Sequence, residues 1–140
     1  MFKVRKIING KTNVPETLTL SVDNSLPYAK GAIYYHIDGC LRYDKSMSLE
    51  EPPKYVLLES RDEDDTRGTA PCYAVNENMI FEVDVLNASD AYNGKTASFA
   101  SYTGMDYTHV DPKGDTADVL IIDASNALTK GTVKVIVLNK

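Results

Sequence analysis

The segment around residues 79–85 constrains the fold more than any other. Phe81, Val83 and Val85 alternate there with Glu82 and Asp84. A two-residue period puts one kind of side chain on each face of a strand, so this segment reads as half-buried β-structure with its acidic face outward. A strand-like run, Cys72-Tyr73-Ala74-Val75, precedes it across the polar turn Asn76-Glu77-Asn78, and the two together read as a hairpin. The same grammar recurs along the chain. Leu18, Leu20 and Val22 alternate with Thr17, Thr19 and Ser21, and Val133, Val135 and Val137 alternate with Thr132, Lys134 and Ile136. Residues 95–102 alternate in the same way but are rich in small side chains, which suits close packing against a neighbour. Tyr55-Val56-Leu57-Leu58 and residues 119–122 are continuous apolar runs, as in strands buried on both faces.

Turn chemistry divides these runs. Asn9-Gly10, Asp38-Gly39 and Asn93-Gly94 are pairs that tolerate the positive φ of tight turns. Ser48-Leu49-Glu50-Glu51 has room for one helical turn, which Pro52-Pro53 would stop. Residues 104–114 read as a polar loop carrying Tyr107 and His109, and residues 123–131 as turns. The pattern predicts strands over residues 17–22, 32–37, 55–60, 79–85, 119–122 and 132–138. With the shorter candidates the expectation is roughly nine to eleven short strands in an all-β fold, a single compact sandwich or barrel with little helix. Residues 17–140 form that β domain. Residues 1–16 are either an N-terminal arm, removable without loss of stability, or the first strand of the domain's own sheet.

Composition narrows the function. A chain of 140 residues can bury a core without disulfides or metals. The net charge of −5 argues against a phosphate-binding surface, so no nucleic-acid partner is expected. No apolar run approaches the ~20 residues of a membrane span, and no membrane partner is expected. Met1-Phe2-Lys3-Val4-Arg5-Lys6 leads directly into a strand pattern and not into a secretory leader, which predicts a product made in the cytoplasm. Cys40 and Cys72 are far apart and do not make a disulfide framework, so free thiols are expected.

The groups that carry chemistry do not assemble into a recognisable set. His36 and His109 are the two histidines, and a zinc site needs further ligands at close spacing. The run Arg61-Asp62-Glu63-Asp64-Asp65 lacks the ordering of a calcium loop and reads as a solvated charged loop. A phosphate-binding glycine loop and a nucleophile elbow are both missing. Paired carboxylates for glycoside hydrolysis are a matter of spatial separation, but the chain has no Trp to stack on sugar. The expectation is a non-enzyme with no catalytic residues, no cofactor and no metal.

The opening, Met1-Phe2-Lys3-Val4-Arg5-Lys6-Ile7-Ile8-Asn9-Gly10-Lys11-Thr12-Asn13-Val14-Pro15-Glu16, resembles the start of the small decoration, or head-stabilising, proteins of tailed-bacteriophage capsids. The later blocks are similar in their order. A Gly-rich segment spans residues 31–41, Pro53-Lys54-Tyr55-Val56-Leu57 follows, then residues 79–83, and residues 115–140 make a closing apolar strand, turn and last strand. Residues 88–116 have no counterpart in that layout. The resemblance implies a virion structural protein on the capsid exterior, made in a bacterial cytoplasm. It implies the major capsid protein as partner, with self-association as a trimer or attachment as a monomer. Family members of this kind work through surfaces, so no catalytic residues carry over. The alternating basic and apolar side chains at the start suit strand addition to a partner's edge. Phe2, Lys3, Val4, Arg5 and Asn13 are therefore the candidate capsid contacts. Other readings are a different head- or tail-associated virion component, a ligand-binding β module for carbohydrate or protein, and, last, a small enzyme.

Overall fold

Burial alternates in step with sequence at residues 79–85: Met79, Phe81, Val83 and Val85 are buried, while Ile80, Glu82 and Asp84 are half-exposed. The computed structural model describes residues 1–8, 15–45, 50–101, 104 and 106–138. Among them lie eleven strands: β1 (Lys3–Ile7), β2 (Leu18–Ser21), β3 (Ile33–Ile37), β4 (Cys40–Arg42), β5 (Lys54–Leu57), β6 (Thr69–Ala74), β7 (Met79–Val85), β8 (Thr96–Ala100), β9 (His109–Asp111), β10 (Val119–Asp123) and β11 (Thr132–Val137). One 3₁₀ turn, Ala88–Asp90, and one four-residue helix, α1 (Ala127–Lys130), complete the regular structure. The fold is all-β. All six segments predicted as strands are strands, with ends displaced by at most three residues.

The strands form two sheets. The first has the order β1-β7-β11-β10-β8-β9. β9 also pairs in parallel with the end of β7, Asp84 opposite His109 and Val85 opposite Val110, which closes β7, β11, β10, β8 and β9 into a barrel-like ring. β1 takes the other half of the same β7 edge, antiparallel, with Val4 opposite Phe81. The second sheet has the order β2-β6-β5-β3-β4, and a bridge between Val22 and Leu41 draws its two outer strands together. The β3–β4 hairpin turns at Asp38 and Gly39, both at positive φ (53° and 76°), as that dipeptide predicts.

Three expectations are corrected. Cys72-Tyr73-Ala74-Val75 and residues 79–85 are not a hairpin, because β6 belongs to the second sheet and β7 to the first. Both edges of β6 are taken by β2 and β5, and β7 is paired on both sides as well, so neither strand needs the other. The Asn76 turn instead hands the chain from one sheet to the other, and Tyr73 and Phe81 meet across the gap as parallel rings 6.5 Å apart. Residues 104–114 are not wholly loop, since His109–Asp111 is a strand held by β7 and β8. The segment 123–131 includes α1, ended by Gly131 in the left-handed region. The turn at Asn9-Gly10 and the helical turn begun at Ser48 fall on or across residues outside the described ones.

The main core lies between the sheets and inside the ring. Phe81, Val83, Val133, Val135, Val119, Ile121, Phe99 and Val110 meet Ile33, Tyr35, Val56 and Tyr73 of the second sheet. The opposite face of the second sheet closes on its own smaller core, built from Tyr34, Leu41, Leu57, Ala70 and Cys72 under Tyr28. β3 is therefore buried on both faces, as is the apolar run of β5. Both cysteines are free, Cys72 buried and Cys40 half-buried. The small residues of β8 do admit a close neighbour. A Cβ on Gly114 would fall 2.4 Å from that of Ser98, whose hydroxyl exchanges hydrogen bonds with the backbone of Thr116.

Phe2 closes the main core. It is 2% exposed, and it sits edge-on to both Phe81 and Phe99, each 5.8 Å away between ring centroids. Its N–H donates to the carbonyl of Gly31 at the entry to the second sheet. Residues 3–7 are thus the first strand of the protein's own sheet, and their removal would open its core. Phe2→Ala is predicted to lower the unfolding free energy by about 3–5 kcal/mol in urea denaturation, as for other buried aromatic truncations. A loss below about 1 kcal/mol would place Phe2 outside the core.

Candidate functional site, an aromatic and charged cleft between the sheets

The two sheets supply opposite walls of a cavity of about 200 Å³. Tyr35 comes from β3, Phe99 from β8, and Tyr107 from the chain just before β9. Tyr107 is held in place by the hydrogen bond its carbonyl accepts from the N–H of Ile33, 3.1 Å. The rings are inclined to one another. Tyr107 lies 5.8 Å from Phe99 at 31° and 5.7 Å from Tyr43 at 52°, and Tyr35 lies 6.5 Å from Phe99 at 63°. Asp118 is 7% exposed at the cavity wall. Its Oδ2 accepts from the Phe99 N–H at 2.9 Å and from Thr116 Oγ1 at 2.7 Å, so the carboxylate is fixed in place. Asp44, following β4, completes the acidic lining.

Two carboxylates, Asp44 and Asp118, and one ammonium, Lys45, line the cavity. Burial pushes the Tyr35 phenol above its usual range, and the carboxylates of Asp118, Glu51 and Asp44 push it the same way. Tyr107 is raised by burial first and then by Asp44, Tyr43 and Asp118. Two phenols on opposite walls therefore feel the same pair of carboxylates, Asp44 and Asp118.

A cationic cluster borders the cavity on one side. Lys45 and Lys54 each contact Glu51 at 2.6 Å, and each ammonium lies 5.7 Å from the centroid of Tyr35. Lys54 is 5% exposed, so this pairing is what permits its charge to be buried. Beyond it a second cavity, about 280 Å³, is lined by Glu51, Lys54, Val75, Asn76, Val137 and Leu138, again from both sheets. The arrangement can hold a ligand between an aromatic wall and fixed charges.

The residues singled out in the sequence lie elsewhere. Phe2 is in the core, Val4 is partly buried against it, and Lys3 and Arg5 are exposed on β1. Arg5 reaches Glu82 of β7 at 3.1 Å. Asn13 lies outside the described residues. His36 packs edge-on to Tyr55 in the second sheet. His109 in the first sheet shares a 2.7 Å contact with the Thr108 hydroxyl, and burial followed by the nearby Met1 ammonium lowers its pKa. No group of three or more His, Cys, Asp or Glu placed to hold a metal occurs among the described residues. The acidic run is only partly solvated. Asp62, Glu63 and Asp64 are exposed, but Arg61 is buried, and Asp65 is bound by Arg67 at 2.7 Å, which holds its carboxyl well below the usual range.

Tyr107 and Asp118 were missed because each is unremarkable in sequence. Asp118 simply precedes an apolar strand, and its burial follows from the β8–β10 pairing that brings it under Phe99. Glu51 offers a pH test of the cluster. Burial raises its pKa, but hydrogen bonds and charge from Lys45 and Lys54 outweigh this and lower it. A lowered folded-state pKa gives stability that is present above the unfolded value, about 4.3, and lost as pH falls through the folded one. Glu51→Gln is therefore predicted to lower the melting temperature at neutral pH, with the gap to the parent protein closing below about pH 4.

No protein-family model, curated protein or solved structure matches the chain.

Proposed function

We propose that this protein is a capsid decoration protein of a tailed bacteriophage, which binds the outside of an assembled shell and stabilises it without catalysis. The order of the sequence blocks suggests the family, and β1 is the observation that carries the reading. β1 is an edge strand: β7 pairs with one side of it, and no strand lies on the other among the described residues. It exposes Lys3, Arg5 and Lys6. An open edge offers unpaired backbone groups to an added strand. Three cations on that edge repel a second copy of themselves and favour an acidic partner edge, so the surface suits a heterologous contact with the major capsid protein better than self-pairing. Binding spread over an assembled shell stabilises it by mass action, with no chemistry required.

A second reading, a ligand-binding β module, is favoured by the inter-sheet cavity and is independent of the first.

Capsids lacking the protein, mixed with it and sedimented, test the proposal. The parent protein should co-sediment to saturation, with affinity falling as salt rises. Lys3→Gln, Arg5→Gln and Lys6→Gln combined should weaken binding about tenfold or more with melting temperature little changed, because the three side chains are exposed, the Arg5–Glu82 pair lost is a surface one, and β1 is held to β7 through backbone. Absence of co-sedimentation by the parent protein sinks the decoration reading. Undiminished binding by the variant removes β1 from the contact.

A further inference from the structure

We infer that β2 is a self-association edge, where a second copy of this chain adds its own β2, antiparallel, across a two-fold axis through Leu18. The backbone decides which groups are open. Thr19 lies opposite Pro71, which has no N–H to give and whose carbonyl turns away to accept from the N–H of Leu58, just after β5, at 3.0 Å. Thr19 therefore points its N–H and C=O away from β6. Val22, three positions on, has the opposite sense and donates its N–H to the carbonyl of Gly68 on the β6 side. Alternation turns the backbone groups of Thr17 outward with those of Thr19. Among the described residues neither threonine has a hydrogen-bond partner on that side.

The side chains choose the occupant. Leu18, Leu20 and Val22 share one face of the strand. Val22 is 8% exposed and Leu20 is half-buried, both against the smaller core, but Leu18 is 39% exposed, so that core runs out at the open end of β2. A two-fold axis through Leu18 sets it against Leu18 of the second copy at a non-hydrogen-bonded position, where facing side chains come closest, and carries the apolar face from one copy into the next. The same axis sets Thr17 opposite Thr19 of the second copy. These are the residues with outward backbone groups, so each such pair exchanges both of its hydrogen bonds. Residues 17–21 carry no charge, unlike β1, where Lys3, Arg5 and Lys6 guard the open edge. β4 meets the β2 edge at Val22, through Leu41, beyond the stretch that pairs. A strand pair this short buries well under the ~800 Å² per partner of a standard interface, so the dimer is weak and depends on concentration. It does not depend on the capsid reading.

Sedimentation velocity of the intact protein over a series reaching ~1 mM should show a monomer–dimer equilibrium that added salt does not weaken, since no ion pair makes the contact. Leu18→Lys places like charges face to face across the axis and should weaken dimerisation about tenfold or more, with melting temperature little changed because the side chain is exposed. Leu18→Cys tests the axis itself, in a Cys40→Ser background, Cys72 being buried. Under mild oxidation it should form a covalent dimer, because a non-hydrogen-bonded antiparallel pair has a Cα spacing that a disulfide accepts. Thr19→Cys in the same background faces Thr17 of the second copy and should not. A protein that stays monomeric throughout the series overturns the proposal. So does undiminished dimerisation of Leu18→Lys, or a Leu18→Cys variant that cross-links no faster than Thr19→Cys.

Discussion

Phe2 ties the two sheets together, its ring seated in the first and its backbone at the entry to the second. Phe2 stands edge-on to Phe81 of β7 and to Phe99 of β8, at 82° and 81°, while its N–H reaches the carbonyl of Gly31 before β3. Edge-to-face pairs contribute about 0.5–1.5 kcal/mol each beyond the area they bury, and here two share one residue. The Gly31 contact leaves no room for a side chain: a Cβ there would sit 2.0 Å from Met1 Cγ, at a φ of +76° that L residues rarely adopt. The cavity depends on the same ring, because Phe99 is both the seat of Phe2 and the wall shared by Tyr35 and Tyr107.

Much of the fold was legible because it rests on period and turn chemistry. β7 and β11 alternate without error, and their register places Val83 opposite Val133 and Glu82 opposite Lys134, so core and charge each fall on one face. The hairpin at Asp38-Gly39 was equally local. What stayed hidden was partnership. Nothing in Cys72-Tyr73-Ala74-Val75 tells that its strand turns away from β7, because alternation fixes which face is apolar and leaves the neighbour open. β9 was hidden for a different reason. Three residues, His109–Asp111, are too few for a period, and their pairing with β7 is a parallel contact made by the tertiary fold. The cleft was the least legible part, since its residues come from five separate stretches of chain and each alone reads as an ordinary Tyr or Asp.

Net charge conceals an arrangement. The chain is acidic overall, at −5, yet its cations are placed with purpose. Lys54 and Arg61 are buried, each beside a carboxylate, while Lys3, Arg5 and Lys6 gather on a single edge strand. The acidic run after β5 is drawn down in part by Arg61, whose backbone pairs with Tyr28 at 2.8 Å in both directions and so seals the smaller core.

The pairing of β1 with β7 also sets an order of events during synthesis. The Met1 amino group meets Asp84, 83 positions along, and Thr108, 107 positions along. Every strand of the second sheet is encoded between Leu18 and Ala74, so that sheet can assemble while β7 has yet to emerge. At about 5–20 residues per second, β1 waits on the order of ten seconds for its partner. Over that interval Phe2 is an exposed aromatic on a growing chain, with Lys3, Arg5 and Lys6 beside it to discourage association with neighbouring nascent chains.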